Sequence, residues 1–299
     1  MPKKIAILGA TSHIAKGLIL NFKQSKNSEL FLFARAPKMV KKFLKENNLP
    51  LPQKIYEFKH FHSGKFDVII NCVGLGTPEK VKQASEEVFS LTEEFDNLVL
   101  AYLARHPQAL YINFSSGAIY YLSVKDIKAE DYYGIVKLHQ EAKHRALKKL
   151  HIVDLRVFSY FSRFMELDSG YFLAELIKSL KSKKTFIANP CDFLRDFLAP
   201  RDLFDLVCLI IKAKPFNGAL DAYSSKPISK FELLDYFVKK YSLKYVFDRK
   251  LKLACPTGVK SRYCPHSKRA ASLGYKPKFS SLEAVAEESK YMLKVSTNA

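Results

Sequence analysis

Apolar residues in the first half of the chain come in short continuous blocks rather than in alternation. Lys3-Lys-Ile-Ala-Ile-Leu-Gly9, Leu30-Phe-Leu-Phe-Ala-Arg35, Phe66-Asp-Val-Ile-Ile-Asn-Cys-Val73, Ala109 to Phe114 and Ile152-Val-Asp-Leu-Arg-Val-Phe158 each read as a strand buried on both faces. Lys54 to Phe58 is a weaker strand of the same kind. Between these blocks the apolar positions recur at helical spacing, over Ile14 to Gln24, Pro37 to Glu46, Pro78 to Arg105 and from Tyr133 to about Leu150. Strands alternating with helices predict an α/β fold, a doubly wound parallel sheet covered on both faces, over residues 1–158. Beyond residue 160 the alternation loosens, and Pro190, Pro200, Pro215 and Pro227 punctuate shorter segments. These predict a smaller lobe over 159–299, with part of 198–223 returning to the sheet.

Ligands of such sheets bind at the carboxyl ends of the strands. The residues that follow Leu8, Phe33, Val73, Phe114 and Phe158 are therefore the ones to read for chemistry. Gly9-Ala-Thr-Ser-His-Ile-Ala15 joins the first strand to the first helix. A turn of small residues there lets backbone N–H groups and the positive helix end approach a pyrophosphate. Only Gly9 is glycine; Ser12 and Ala15 hold the other two small positions. The expected cofactor contacts in the turn are Gly9, Thr11, Ser12, His13 and Ile14. Cys72, Val73, Gly74 and Phe158 stand at the neighbouring strand ends. Folds that select NAD usually end the second strand in an acid; this chain has Arg35 there with Lys38 nearby. That cationic pair favours NADP(H), with NAD(H) as the alternative.

Tyr133 and Lys137 are four apart and share one face of the helix that follows the Ser115-Ser116 strand end. An ammonium held there can lower the pKa of the phenol, and a strand-end hydroxyl can share its substrate oxygen. The spacing alone decides nothing. With 16 Tyr in a lysine-rich chain, about two such pairs arise by chance, and three occur: Tyr121/Lys125, Tyr133/Lys137 and Tyr236/Lys240. Tyr121 lies too close to the serine strand to return on a separate helix, and Tyr236 has no strand-end serine before it. Ser116, Tyr133 and Lys137 are the candidate catalytic set.

Composition narrows the partners. A formal charge of +20, from 49 basic and 29 acidic residues, points to an anionic ligand or a generally basic surface. The basic residues are scattered in pairs, without the arginine-rich block or aromatic-basic motif of a nucleic-acid binder. Cys72, Cys191, Cys208, Cys255 and Cys264 form no CxxC, and Cys255, Cys264 and His266 fit no standard zinc spacing, so no metal is expected. No signal segment and no run of membrane-span length is seen, which predicts a cytoplasmic protein.

With these residues in view, the chain resembles the extended short-chain dehydrogenases/reductases, the NAD-dependent epimerase/dehydratase family that modifies nucleotide sugars. The likeness spans nearly the whole length. It takes in the Gly9 turn, Asn71-Cys-Val-Gly74, Phe114-Ser-Ser-Gly-Ala-Ile-Tyr120, Tyr133-Gly-Ile-Val-Lys137, Leu155-Arg-Val-Phe158, Leu194-Arg-Asp-Phe-Leu-Ala-Pro-Arg-Asp202 and Ser267-Lys-Arg-Ala-Ala-Ser-Leu-Gly-Tyr-Lys-Pro277. It implies a Rossmann-type sheet with a C-terminal substrate-binding lobe. It also implies Tyr133 as general acid or base, Lys137 on the nicotinamide ribose and Ser116 on the reacting oxygen. Arg195 would meet the substrate diphosphate, with Arg262 as a second cation and Gly117 and Ser159 as further substrate contacts. A homodimer through the two long helices is implied as well.

Departures from the family pattern sharpen the expectation. The dehydratases carry acids directly after the serine, where this chain has Gly117 and Ala118, so elimination of water is not expected. The usual Asn after the sixth strand is Ser159, and no adenine-reading acid follows the third strand near His60 to His62. The leading expectation is an NADPH-dependent reductase of a nucleotide-linked keto sugar. A nucleotide-sugar epimerase with tightly held NAD(P) is the nearest alternative. A non-catalytic NADP-sensing or RNA-binding member of the fold is the rival of another class.

Overall fold

Ile5 to Leu8 are all fully buried, yet alternate residues serve different layers. Ile5 and Ile7 join one core cluster, while Ala6 and Leu8 join another on the opposite face. That is why the first block is apolar without alternation: the strand has no wet side. The structure is a computed structural model that describes residues 2–23, 27–50, 54–75, 87–123, 125–128, 131–251 and 260–293.

Strand β1 (Lys3–Leu8) leads to helix α1 (His13–Phe22), β2 (Ser28–Phe33), helix α2 (Pro37–Glu46), β3 (Lys54–Tyr56) and β4 (Val68–Asn71). The helix Glu87–Arg105, β5 (Leu110–Ser116), the helix Tyr132–Ala146 and β6 (Ile152–Val157) complete the first part. The seven-stranded sheet runs Gly218–Asp221, β6, β5, β4, β1, β2, β3, and every pairing is parallel. The chain thus returns late, and its last strand extends the sheet beside β6. The helix Pro200–Lys212 before it packs on α1, where Phe22 and Phe204 meet edge to face at 4.9 Å.

Strand order reverses beside β1, so the carboxyl ends of β1 and β4 open a crevice at a topological switch point. Gly9 sits in that crevice with φ 73°. A Cβ there would lie 2.9 Å from the Cys72 carbonyl carbon and oxygen and from the Val73 nitrogen. Both the backbone conformation and the approach to β4 therefore require glycine. Gly9→Ala is expected to cost about 2 kcal/mol of stability or more. It should also weaken dinucleotide binding; a thermal melt and an NADH fluorescence titration check the two effects.

Several bounds differ from the sequence reading. The strand expected over Phe66 to Val73 is regular only from Val68 to Asn71. The weak strand ends at Tyr56 and forms the sheet edge. The helix expected from Pro78 is described from Glu87, the residues before it lying outside the described ones. The helix expected to reach Leu150 stops at Ala146, and a distant side chain collects carbonyls at and just beyond its end. The Asn217 amide donates to the oxygens of His144, Leu147 and Leu150. A capping group 70 residues away along the chain leaves no local signal.

After β6 the chain builds a second hydrophobic cluster. Leu173 and Ile177 from the helix Phe172–Lys181, Leu233 and Phe237 from Lys230–Tyr241, and Val285 from Ser281–Met292 are all buried in it. The last two helices start with capping boxes, Ser229/Glu232 and Ser280/Glu283. Among the described residues no helix is long and apolar enough to cross a membrane.

Candidate active site

The carboxyl ends of β1, β4, β5 and β6 and the second cluster enclose a cleft of about 520 Å³, within the usual range for small-molecule sites. Its sheet side is lined by Thr11, Ser12, His13 and Ile14 from the first turn and by Cys72, Val73 and Gly74 after β4. Ser12 caps α1, its hydroxyl accepting from the Ala15 N–H at 3.2 Å. The cap leaves the positive end of α1 facing the cleft. With the Gly9 cradle, this is a surface that fits a dinucleotide pyrophosphate.

Ser116 ends β5, and Tyr133 and Lys137 come from the helix Tyr132–Ala146; all three line the cleft. The Ser116 hydroxyl accepts from the Ala118 N–H at 3.2 Å and lies 2.9 Å from the Tyr263 hydroxyl. Burial raises the Tyr133 phenol above its ordinary value, and its hydrogen bond with Ser116 pulls it part of the way back. The Lys137 ammonium donates to the Phe114 carbonyl at 3.0 Å and to the Gln140 side chain at 3.1 Å. The expected depression of Tyr133 by Lys137 therefore gives way to a different arrangement: the ammonium is turned to these two oxygens. Burial pushes Lys137 itself down to about 8, although Asp96, Asp154 and Glu141 oppose the shift.

A buried polar layer lies beneath this set. Asn71, Asn113 and Asp154 occupy one row across β4, β5 and β6. Asn113 donates to Asp154 at 2.8 Å. His144 stands between two carboxylates, with Nδ1 2.9 Å from Asp154 and Nε2 2.8 Å from Asp96; all three side chains are fully buried. Lys143 reaches Asp96 at 2.6 Å and Arg145 reaches Asp154 at 2.6 Å. Burial alone would lower His144, but the two carboxylates outweigh it and raise the imidazole to about 9. Beside this layer, Glu141 accepts from Ser115 at 2.5 Å and from Arg156. Lys137 and Tyr133 are thus carried on a helix bolted to the sheet by charge.

The other predicted positions divide. Phe158, Ser159 and Arg195 reach the cleft wall, Ser159 through its pairing with Phe197. Arg195 donates to the carbonyls of Leu194 and Lys260 and lies over the Phe193 ring. Gly117 does not line the cleft; it is buried flat against Phe158, whose ring carbons would lie 2.3 Å from an added Cβ. Arg262 is exposed and stands outside the cleft, because its neighbour Tyr263 takes the inward position on that strand. Arg35 and Lys38 are exposed at the end of β2 and the start of α2, also outside the cleft. Both decoy pairs are accounted for: Tyr121 closes a 3-10 turn directly after Ser116, and Tyr236 packs on Tyr241 in the second lobe.

Tyr263 and Thr92 line the cleft as well, outside the set that the sequence marks. Neither carries a local signal, since their positions depend on which face of a short strand or long helix meets the cleft. The buried layer did leave one: Asp154 inside an apolar strand is a charge that needs a buried partner.

The model of the NAD dependent epimerase/dehydratase family matches residues 5–223. No curated protein matches the sequence. Solved structures share the fold at low identity. A mutant UDP-glucuronic acid 4-epimerase from Bacillus cereus, in complex with UDP-4-deoxy-4-fluoro-glucuronic acid and NAD, superimposes with a TM-score of 0.79 at 15% identity, covering 97% of this chain and 98% of that one. A UDP-N-acetylglucosamine 4-epimerase from Methanobrevibacter ruminantium gives 0.76 at 13% identity, over 97% and 98% of the two chains. A dTDP-glucose 4,6-dehydratase from Bacillus anthracis in complex with NAD gives 0.75 at 13% identity, over 97% and 96%.

Proposed function

The chain belongs to the NAD-dependent epimerase/dehydratase family, and on that premise we propose that it is a nucleotide-sugar epimerase that retains its nicotinamide cofactor. The observation that carries the reading is the Ser116/Tyr133/Lys137 set at the strand ends, in one cleft with Thr11, Ser12, His13 and Ile14 of the turn that Gly9 opens. The nucleotide-sugar 4-epimerases among its structural relatives lend the reading support. Inverting a sugar carbon requires a proton to leave one hydroxyl and return to the same oxygen, which a single phenol can serve in both directions. Dehydration needs a further acid at the leaving hydroxyl, and Gly117 and Ala118 supply none.

In this reading Tyr133 takes the hydroxyl proton and later gives it back, while Ser116 donates to the oxygen as negative charge develops. The bound nicotinamide supplies reversible hydride transfer. Lys137 would hold its ribose, Thr11 to Ile14 its pyrophosphate, and Cys72 to Gly74 the wall beside it. Arg195 would meet the substrate diphosphate. The homodimer belongs to the same proposal: Phe89 and Leu138, on the two helices that would pair with a second copy, are 41% and 38% exposed.

Arg35 and Lys38 keep a second reading in play, an NADPH-dependent reductase of a nucleotide-linked keto sugar, because they offer cations where a 2′-phosphate would sit. One measurement separates the two. Cofactor released from the denatured pure protein, identified by mass, is expected to be NAD in near-equal amount to protein. Protein purified empty that consumes NADPH with a keto sugar would replace the epimerase reading with the reductase.

A further inference from the structure

We propose that Tyr263, reaching across from the C-terminal lobe, is a positioning residue of the proton-transfer site that acts through Ser116. The proposal deepens the reading above, since it concerns the same phenol. Tyr263 is 6% exposed and Ser116 4%. Their hydroxyl oxygens are 2.9 Å apart, although the residues are 147 positions apart in sequence.

The direction of this bond follows from counting protons. Ser116 has one hydroxyl proton, and its oxygen already accepts from the Ala118 N–H. In the reading above it spends that proton on the reacting oxygen as negative charge develops there. Once Ser116 gives its only proton to Tyr133, or to a substrate oxygen in its place, Tyr263 must be the donor toward Ser116. The result is a chain in which Tyr263 donates to Ser116 and Ser116 donates onward. A hydroxyl that accepts a hydrogen bond becomes a stronger donor, so Tyr263 polarises Ser116.

The fold holds Tyr263 for this task. Its ring lies 5.3 Å from Phe158 and 5.6 Å from Tyr121. Its strand pairs with Leu194–Arg195, placing Tyr263 opposite Arg195 in register. The residue that would meet the substrate diphosphate and the one that orients the catalytic serine therefore move as one unit.

The test needs no substrate. Protein with 13C-labelled tyrosine rings is titrated by NMR, and the Tyr133 resonance is assigned by its loss in Tyr133→Phe. In Tyr263→Phe the Tyr133 pKa is expected to rise by about half a unit to one unit. In a Ser116→Ala background the same change should shift nothing. Tyr263→Met removes the hydroxyl with a different shape and guards against a variant that fails to fold. Tyr121→Phe, which leaves the hydroxyl chain intact, should titrate as wild type. An unchanged Tyr133 titration in either folded Tyr263 variant overturns the proposal, as does an equal shift without Ser116. With a nucleotide sugar that turns over, Tyr263→Phe should lower kcat about tenfold with KM unchanged. Absence of any turnover in the parent protein would count against the epimerase reading alone, since the titration stands apart from it.

Discussion

Tyr133→Phe is expected to lower kcat by about 10²- to 10⁴-fold, the contribution of a positioned general acid or base, while cofactor affinity stays near that of the parent. The substitution removes one oxygen and keeps the ring. Tyr133 is partly buried, on a helix whose hold on the sheet runs through other residues. Lys137 keeps its bonds to Phe114 and Gln140, and the Gly9 turn is untouched. The loss should therefore be confined to proton transfer. Steady-state kinetics with a UDP-sugar panel, beside cofactor quantification on the same preparation, measures both halves. Turnover unchanged in the variant would remove Tyr133 from the mechanism, and the Ser116 and Tyr263 roles with it.

His144→Leu is expected to destabilise the protein by about 3–5 kcal/mol, because it leaves two fully buried carboxylates without the cation between them. Lys143 and Arg145 still reach Asp96 and Asp154, but from the rim, 23% and 34% exposed. The expected fall in Tm is roughly 10 °C. The wild-type protein carries a matching pH signature. His144 is raised from 6.5 to about 9, so the folded state holds its proton where the unfolded chain has lost it. Its stabilisation is complete below pH 6.5 and is lost as pH rises through about 9.

Lys137 acts in the opposite sense. Lowered to about 8, it makes stability rise with pH between that value and its unfolded 10.5. Asp196, raised to about 6 by burial, acts below the window. Between pH 6.5 and 8 the His144 effect therefore stands nearly alone. Stability from urea unfolding should fall there by up to about 1.4 kcal/mol per pH unit. A flat profile across that window would mean that His144 is not held protonated.

The same layer gives the site its rigidity. Tyr133, Lys137, Glu141 and His144 all lie on one helix; Lys137 is anchored to the end of β5, and His144 to β6 and to the helix Glu87–Arg105. A helix fixed by charge at several points presents its phenol at a defined distance from Ser116, and proton transfer depends on that distance.

By itself the sequence determined the parallel sheet, because strands with no wet side must be continuously apolar, as Ile5 to Leu8 and Val68 to Ile70 are. It placed the tight turn between β1 and α1, where the structure shows that only glycine can hold the backbone of Gly9 against β4. It also separated Tyr133/Lys137 from two equivalent spacings through the order of strand, helix and strand around them. Tertiary structure decided what spacing does not encode. Tyr263, and not Arg262, faces the cleft because a one-residue choice of register on a two-residue strand turns one side chain in and the other out. Gly117 lies against Phe158 and does not line the cleft, and the Lys137 ammonium is turned to Phe114 and Gln140. Each of these depends on contacts between segments far apart in the chain, and the local pattern of either segment is the same whichever way they meet.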